Sequence, residues 1–214
     1  MRVLRWPVVL FDLDGTLANS IDLVVASYTH AFASVTGAPT NAETAKRWIG
    51  ETLRTTFGRE APGHTDELEE AYRNYYAERL DAIHGYPGMT RLLKSLRDAG
   101  AITGVVTAKR RETALVTMRQ AGVEGLIDLV GAMEDTSAHK PDPAPLLAAA
   151  SKLGVEPADC VYIGDAVHDV QAAHAAGMEV IAVTWGAGVT SDLMAADIVC
   201  DDAKALTQAL FAPG

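Results

Sequence analysis

The sequence predicts an α/β protein with a doubly wound parallel sheet and an inserted all-helical segment. From Tyr86 onward, short apolar runs alternate with helical patterns, which is the arrangement of βαβ units. The first apolar run, residues 8–11, lacks polar alternation, as expected of a parallel strand that is buried on both faces. Between these two parts, residues 19–85 show helical periodicity and no strand pattern.

The second part of the chain contains alternating strands and helices with recognisable ends. Glycine follows the predicted end of several helices, as at Gly154 and Gly177, where it favours termination. Asp142 before Pro143 is typical of a helix start, with a capping side chain and proline at the first helical position. The predicted strands are 102–107, 126–131, 161–164, 180–184 and 198–200, and the predicted helices are 89–99, 110–120, 143–153, 167–176 and 203–211.

Residues 19–85, called the helical insert below, have a different pattern. Their first apolar residues recur at helical spacing (Ile21, Val24, Val25, Tyr28 and Phe32). Residues 41–51 and 66–83 are also predicted to be helical. We therefore divide the chain into an α/β core domain, residues 1–18 and 86–214, and a helical domain, residues 19–85, joined by connections that could act as hinges.

Composition limits the class of protein. The 214 residues contain no apolar stretch of about 18 residues, so no membrane span is expected. The first apolar run is short and leads straight into acidic residues, which argues against a signal peptide. The net charge of −10 disfavours nucleic acid as a partner, because binding a polyanion requires clustered basic residues. Cys160 and Cys200 are expected to be buried free thiols, which fits a cytoplasmic protein.

Two carboxylates directly follow the first predicted strand. Asp12 and Asp14 are succeeded by Gly15 and Thr16, and open α/β sheets bind ligands just beyond the carboxyl ends of their strands. Carboxylates this close repel each other, so a cation is the usual compensation. A solvated turn is the alternative, since Asp and Gly are ordinary turn residues. The pattern favours a site for a hard metal ion.

Three later segments carry further polar groups in a fixed order. Thr107 follows a predicted strand, Lys140 precedes a proline, and Asp165 and Asp169 follow another strand. Together with Asp12-Leu13-Asp14-Gly15-Thr16, these segments resemble the four motifs of the haloacid dehalogenase superfamily, subfamily I, and its phosphoglycolate phosphatase-like members. The resemblance extends over nearly the whole chain. It implies a Rossmann-like core, with the helical insert as the cap that closes over the active site.

The resemblance also implies catalytic roles. Asp12 would be the nucleophile that forms an aspartyl-phosphate, and Asp14 would be the general acid and base. An aspartate at position 14 favours phosphate chemistry over dehalogenation, because only an alkoxide leaving group needs a proton. Thr107 and the backbone N–H of Ala108 would bind the phosphoryl group, and Lys140 would neutralise both it and Asp12.

The same resemblance implies Mg²⁺ as the cofactor. Asp12, Asp165 and the backbone carbonyl of Asp14 would be direct ligands, which suffices because Mg²⁺ keeps several of its waters. Asp169 would orient the metal or Lys140 from outside the ligand set. Thr16 is expected to order the loop through a bond from its side chain to the backbone.

The remaining polar and aromatic residues are interpreted more simply. The basic run 109–111 is expected to be solvated surface, and His168 and His174 are expected at helix surfaces. Whether a cation of the helical insert faces the site stays open for Lys46, Arg47 and Arg54. The aromatic residues of the insert are expected to pack in its interior: Trp48, Tyr72, Tyr75 and Tyr76.

The sequence therefore predicts a Mg²⁺-dependent phosphatase of a small phosphorylated metabolite, similar to phosphoglycolate phosphatases. A phosphomutase of the β-phosphoglucomutase type and an inorganic pyrophosphatase are alternatives that use the same core motifs. A catalytically silent binding module is the alternative from another class, and the intact set Asp12, Asp14, Lys140 and Asp165 argues against it. The substrate and the choice between monomer and homodimer stay open.

Overall fold

The computed structural model describes residues 3–212, and its centre is a six-stranded parallel sheet. The strands are β1 (Val8–Phe11), β2 (Ala18–Asn19), β3 (His84–Gly85), β4 (Ile102–Val106), β5 (Asp128–Gly131), β6 (Cys160–Gly164), β7 (Glu179–Val183) and β8 (Ile198–Cys200). The central sheet has the order β5-β4-β1-β6-β7-β8. The predicted doubly wound parallel sheet is confirmed.

Helices cover the sheet and make up most of the segment before β3. They are α1 (Ile21–Thr36), α2 (Ala42–Arg47), α3 (Leu53–Glu60), α4 (Thr65–Ala77), α5 (Met89–Asp98), α6 (Arg111–Gln120), α7 (Ala144–Leu153), α8 (Val167–Ala176), α9 (Thr190–Leu193) and α10 (Ala203–Leu210). Among residues 3–212, every helix is too short or too polar to cross a bilayer.

Strand β1 is buried on both faces. Val9 and Phe11 belong to the apolar cluster that includes α5 and α10, whereas Val8 and Leu10 belong to the cluster that includes α7 and α8. This two-sided burial explains why the sequence of β1 shows no polar alternation. Cys160 and Cys200 are buried free thiols, as predicted.

The register places the ends of three strands side by side. Phe11, the last residue of β1, is paired with Val105 of β4 and with Ile163 of β6. The chain order also reverses around β1, since β4 and β5 lie on one side and β6 to β8 on the other. In open α/β sheets such a switch point is where ligands bind.

The helical insert has an aromatic interior. The Tyr28 ring lies 4.9 Å from Tyr72, 5.2 Å from Trp48 and 5.5 Å from Phe57, measured between centroids. The expected packing role therefore holds for Trp48 and Tyr72. Tyr75 instead lies nearer the surface and stacks on His30, with 4.5 Å between the centroids.

The insert differs from expectation in four places, and the first is helix α3 (Leu53–Glu60), which lies outside the predicted helical ranges. Strands β2 and β3 form a separate antiparallel pair at its two ends, which the sequence could not reveal because two-residue strands carry no periodicity. The helix predicted over 41–51 spans only Ala42–Arg47, and the one predicted over 66–83 ends at Ala77. The division of the chain into two domains stays a prediction.

Candidate active site

Three polar residues lie at the carboxyl edge of the central sheet. Asp12, Thr107 and Asp165 directly follow β1, β4 and β6, which are neighbours in the sheet. The Asp12 backbone N–H donates to the Ile163 carbonyl at 2.8 Å, which extends the ladder between β1 and β6 to the first acidic residue. The sheet thus brings together groups that are far apart along the chain.

Lys140 connects two of the acidic residues. Its ammonium donates to Asp12 Oδ1 at 2.7 Å and to Asp169 Oδ1 at 2.6 Å, and its side chain is 1% exposed. It also donates to the Tyr162 hydroxyl at 3.0 Å, which in turn donates to the Val106 carbonyl at 2.9 Å. Sequence reasoning missed Tyr162, because a tyrosine within an apolar strand looks like core.

Asp169 also holds the loop that follows β6. Its Oδ2 accepts from the backbone N–H groups of Asp165 at 3.2 Å and Ala166 at 3.0 Å. The carboxylate therefore caps the start of α8 while its other oxygen binds Lys140. Asp165 does not cap the helix itself, since its side chain points to other partners.

Asp165 lies in a cradle that excludes larger residues. A Cβ atom at Gly15 or Gly186 would lie 2.2 or 2.1 Å from Asp165 Oδ2, and Gly15 also has a positive φ of 79°. Asp165 accepts hydrogen bonds from Thr16 Oγ1 at 3.0 Å and from the Ala187 N–H at 2.7 Å. The expectation that the Thr16 side chain bonds the backbone was wrong, because its hydroxyl donates to the buried carboxylate of Asp165.

The acidic cluster has an excess of negative charge. Asp12, Asp165 and Asp169 are buried, and one carboxylate oxygen from each lies within 4.8 Å of the others. Burial raises the pKa of Asp12 to about 7, against the opposing effect of Lys140, and raises the pKa of Asp165 well above its ordinary value. The single ammonium of Lys140 does not neutralise three carboxylates, so the cluster can bind a further cation, and its oxygen donors suit Mg²⁺.

The second acid of the first motif has a partner that we did not predict. Lys109 Nζ lies 2.6 Å from Asp14 Oδ2 and 4.6 Å from the centroid of the Tyr76 ring. Both side chains of the pair are 13% exposed, so the expectation that Lys109 is solvated surface was wrong. Burial alone would lower the pKa of Lys109, but the charge of Asp14, the interaction with Tyr76 and the hydrogen bonds to both together outweigh it and raise the pKa. Ser20 also donates to Asp14.

Thr107 and Ala108 lie in the turn between β4 and α6. Thr107 is buried, and its hydroxyl accepts from the Lys109 N–H at 3.2 Å. The helix α6 begins only at Arg111, so Thr107 orders this turn and does not cap the helix. Lys109 could have been identified as a site residue from the sequence, because it lies two residues after Thr107.

A cavity of about 630 Å³ opens from this edge towards the helical insert. The core contributes candidate site residues to the lining of this cavity, among them Asp12, Asp14 and Thr107. The insert contributes Tyr28. Of the three insert cations left open by the sequence, Arg54 lines this cavity. The two histidines differ, since His174 is exposed whereas His168 is half-buried with Nε2 3.8 Å from Glu51 Oε1.

The fold and the acidic edge are those of a hydrolase with a Rossmann-like core. Residues 9–183 match the family of haloacid dehalogenase-like hydrolases. The chain belongs to this family, as the four motifs predicted.

Named relatives lie within the same family. A protein from Bacillus pumilus (strain SAFR-032) named pyrophosphatase PpaX is 35% identical over 178 residues, which is 83% of this chain and 82% of the relative. A hydrolase from Pseudomonas syringae is 28% identical with a TM-score of 0.84, covering 93% of this chain and 95% of that one. A predicted phosphoglycolate phosphatase from Haemophilus somnus 129pt shares the fold, with 24% identity, a TM-score of 0.82 and coverage of 95% and 97%.

Proposed function

We propose that this hydrolase is a Mg²⁺-dependent phosphatase that cleaves a small, phosphoglycolate-like phosphorylated metabolite through an aspartyl-phosphate on Asp12. The observation that carries the proposal is the buried carboxylate cluster with a single lysine, placed where the cavity meets the sheet. Asp12, Asp165 and the Asp14 carbonyl would hold the ion, which supplies positive charge for the phosphoryl oxygens.

The residues of the chain divide the reaction into two displacements. In the first, the Asp12 carboxylate attacks phosphorus, the bond from phosphorus to the ester oxygen breaks, and Asp14 gives its proton to the departing alcohol. In the second, Asp14 takes a proton from water, the hydroxyl attacks phosphorus, and Asp12 leaves with release of phosphate. Lys140 and Thr107 would stabilise the transferring group, aided by the Ala108 N–H.

Two contacts support the assignment of proton transfer, rather than nucleophilic attack, to Asp14. Ser20 and Lys109 bond its carboxylate, and it lines the same cavity as Asp12. A carboxylate held by two donors keeps one orientation, which a group that must meet the ester oxygen needs. Asp169 and Thr16, which bond Lys140 and Asp165, would maintain the positions of the groups that act directly.

Pyrophosphate hydrolysis is the second candidate, favoured by the name of the Bacillus pumilus relative. It would use the same two displacements, with phosphate instead of an alcohol as the leaving group. The cytoplasmic location and the absence of a nucleic-acid partner stay predictions.

The proposal is tested by phosphate release from phosphoglycolate, pyrophosphate and p-nitrophenyl phosphate with Mg²⁺ and with excess chelator. Hydrolysis should require Mg²⁺, and Asp12→Asn should abolish it while the fold is kept. Asp22→Asn makes the same change at an exposed position of α1 and is the matched control. Full activity in chelator, or near-normal turnover by Asp12→Asn, would overturn the proposal.

A further inference from the structure

The Tyr162 hydroxyl is a buried polar group beside the acidic cluster that has no part in the reaction steps above. Tyr162 is fully buried in β6, and it packs in the apolar cluster that includes Val8 and Leu10 of β1. Its hydroxyl accepts from Lys140 Nζ at 3.0 Å and donates to the Val106 carbonyl at 2.9 Å. A phenylalanine would fill almost the same space, so packing alone does not require the oxygen.

The groups involved fix the directions of these two hydrogen bonds. A carbonyl can only accept, so the single hydroxyl proton of Tyr162 points to Val106, and a lone pair of the oxygen faces the ammonium. Burial raises the pKa of Tyr162 well above its ordinary value, against the opposing effect of Lys140, so the hydroxyl keeps this proton. Tyr162 is thus a neutral acceptor with one orientation.

Lys140 has three N–H groups, and Tyr162 supplies the third acceptor. The other two acceptors are Asp12 Oδ1 at 2.7 Å and Asp169 Oδ1 at 2.6 Å. Three fixed acceptors restrict rotation of the ammonium and set the direction of the N–H group that faces Asp12. Without the Tyr162 hydroxyl, a buried N–H group of Lys140 and the Val106 carbonyl would each lose a partner, which costs free energy.

The backbone gives Lys140 little support of its own. Lys140 lies between β5 and α7, outside the helices and strands, so its side-chain contacts decide the position of the ammonium. One of these contacts changes in the proposed reaction, because the Asp12 carboxyl group loses its negative charge when it becomes an acyl phosphate. The attraction between Asp12 and Lys140 is then weaker. Asp169 and Tyr162 are the two partners that stay the same throughout.

Tyr162 also connects Lys140 to the end of β4. Strand β1 lies between β4 and β6 in the sheet, so the Tyr162 side chain crosses β1 to reach Val106. Val106 is the last residue of β4 and directly precedes Thr107. The hydroxyl therefore bridges Lys140 and the backbone next to Thr107, the two residues proposed to stabilise the transferring phosphoryl group.

We infer that Tyr162 is a positioning residue for phosphoryl transfer, whose hydroxyl holds the Lys140 ammonium in place relative to Thr107 while Asp12 changes from a carboxylate to an acyl phosphate. The inference rests on the proposed phosphatase function for the role of Lys140. Tyr162 itself is fully buried, so it acts through Lys140 and not on the substrate.

The first test is Tyr162→Phe, which removes the hydroxyl and keeps the ring. Tyr75→Phe makes the same change on α4, where Tyr75 stacks on His30, and is the matched control. In Tyr162→Phe we expect kcat and kcat/KM for p-nitrophenyl phosphate to fall together by about tenfold, as the loss of one hydrogen bond to a charged group allows. A merely structural role would lower the unfolding temperature and leave kcat unchanged, and that result would overturn the inference.

The second test observes the Lys140 ammonium by proton–nitrogen NMR and needs no substrate. An ammonium held by three buried acceptors should exchange its protons slowly enough to give its own signal, which is assigned by its loss in Lys140→Met. The signal should broaden or disappear in Tyr162→Phe and persist in Tyr75→Phe. An unchanged signal in Tyr162→Phe would contradict the inference.

The two tests also separate the inference from the proposed function. If the wild-type protein hydrolyses no phosphate ester with Mg²⁺, the proposed function fails, and the NMR comparison still decides whether Tyr162 holds Lys140. If Tyr162→Phe does not fold, the wild-type spectrum decides, because a rapidly exchanging Lys140 ammonium would show that it is not fixed and would refute the inference.

Discussion

The Lys109 ammonium lies 2.6 Å from the Asp14 carboxylate and beneath the ring of Tyr76, 4.6 Å from its centroid. This contact joins the proposed acid of the core to the last turn of α4 in the helical insert. The Tyr76 hydroxyl in turn lies 3.2 Å from Thr117 Oγ1 on α6. Movement of the insert would therefore change the surroundings of Asp14. The contact is suited to couple closure of the insert over the cavity to proton transfer by Asp14.

Lys109→Met should slow the hydrolysis of phosphate esters to an extent that depends on the leaving group. Without the ammonium, Asp14 loses the partner that fixes its orientation, and proton donation matters most for an alkoxide. We expect hydrolysis of an alkyl phosphate to fall by about 100-fold, as loss of acid catalysis predicts, and that of p-nitrophenyl phosphate to fall much less. The measurement is kcat for both esters, with Lys94→Met, at an exposed position of α5, as the control. Equal losses for the two esters would contradict a role through Asp14.

Asp165→Ala and Asp169→Ala should differ in their effects on metal and on stability. Asp165→Ala should raise the Mg²⁺ concentration for half-maximal activity by more than the roughly 10–100-fold typical of residues behind the ligands. Asp169→Ala should stay within that range, but it should lower the unfolding temperature more, because Lys140 loses one of its two carboxylates. Mg²⁺ titrations and thermal melts provide the two readings. The reverse order in the titrations would overturn the ligand assignment.

The two cysteines should be nearly inert in the native protein. Burial raises the pKa of Cys160 and of Cys200 to about 11, so at pH 8 only about one thiol in a thousand is the reactive thiolate. Because these pKa values are raised, reactivity should grow as the pH increases towards 11. A thiol-reactive disulfide dye should label both cysteines only after denaturation. Rapid labelling of the native protein at pH 8 would show that the thiols are accessible and more acidic than the structure indicates.

Phe57→Ala should destabilise the helical insert. Phe57 is fully buried and contacts the rings of Tyr28, Phe32 and Tyr72. Removing its ring leaves a cavity among these aromatic groups, so the free energy of unfolding should fall by about 3–5 kcal/mol. Urea denaturation measures the change, and Phe57→Leu should cost less because it keeps more of the buried volume. A loss below about 1 kcal/mol would mean that the cluster collapses around the gap.

The sequence was most informative where a local pattern has one physical meaning. The uninterrupted apolar residues of β1 indicated burial on both faces, and the folded sheet brings Asp12 close to Asp165 as the family resemblance implied. Lys109 was misjudged because a basic run is usually solvated, and the fold instead turns it towards Asp14. Tyr162 was missed because its apolar neighbours hide the hydroxyl that binds Lys140.

By itself, the sequence determined the parallel α/β class, the helical segment between residues 19 and 85, the family, and the residues proposed for phosphate chemistry, because periodicity and motif spacing are properties of neighbouring positions. Only the tertiary structure decided which charges are paired, that Thr16 bonds Asp165, and that Tyr162 bonds Lys140. These contacts join residues from different elements, and their distances follow from how helices pack on the sheet. A one-dimensional pattern does not contain that information.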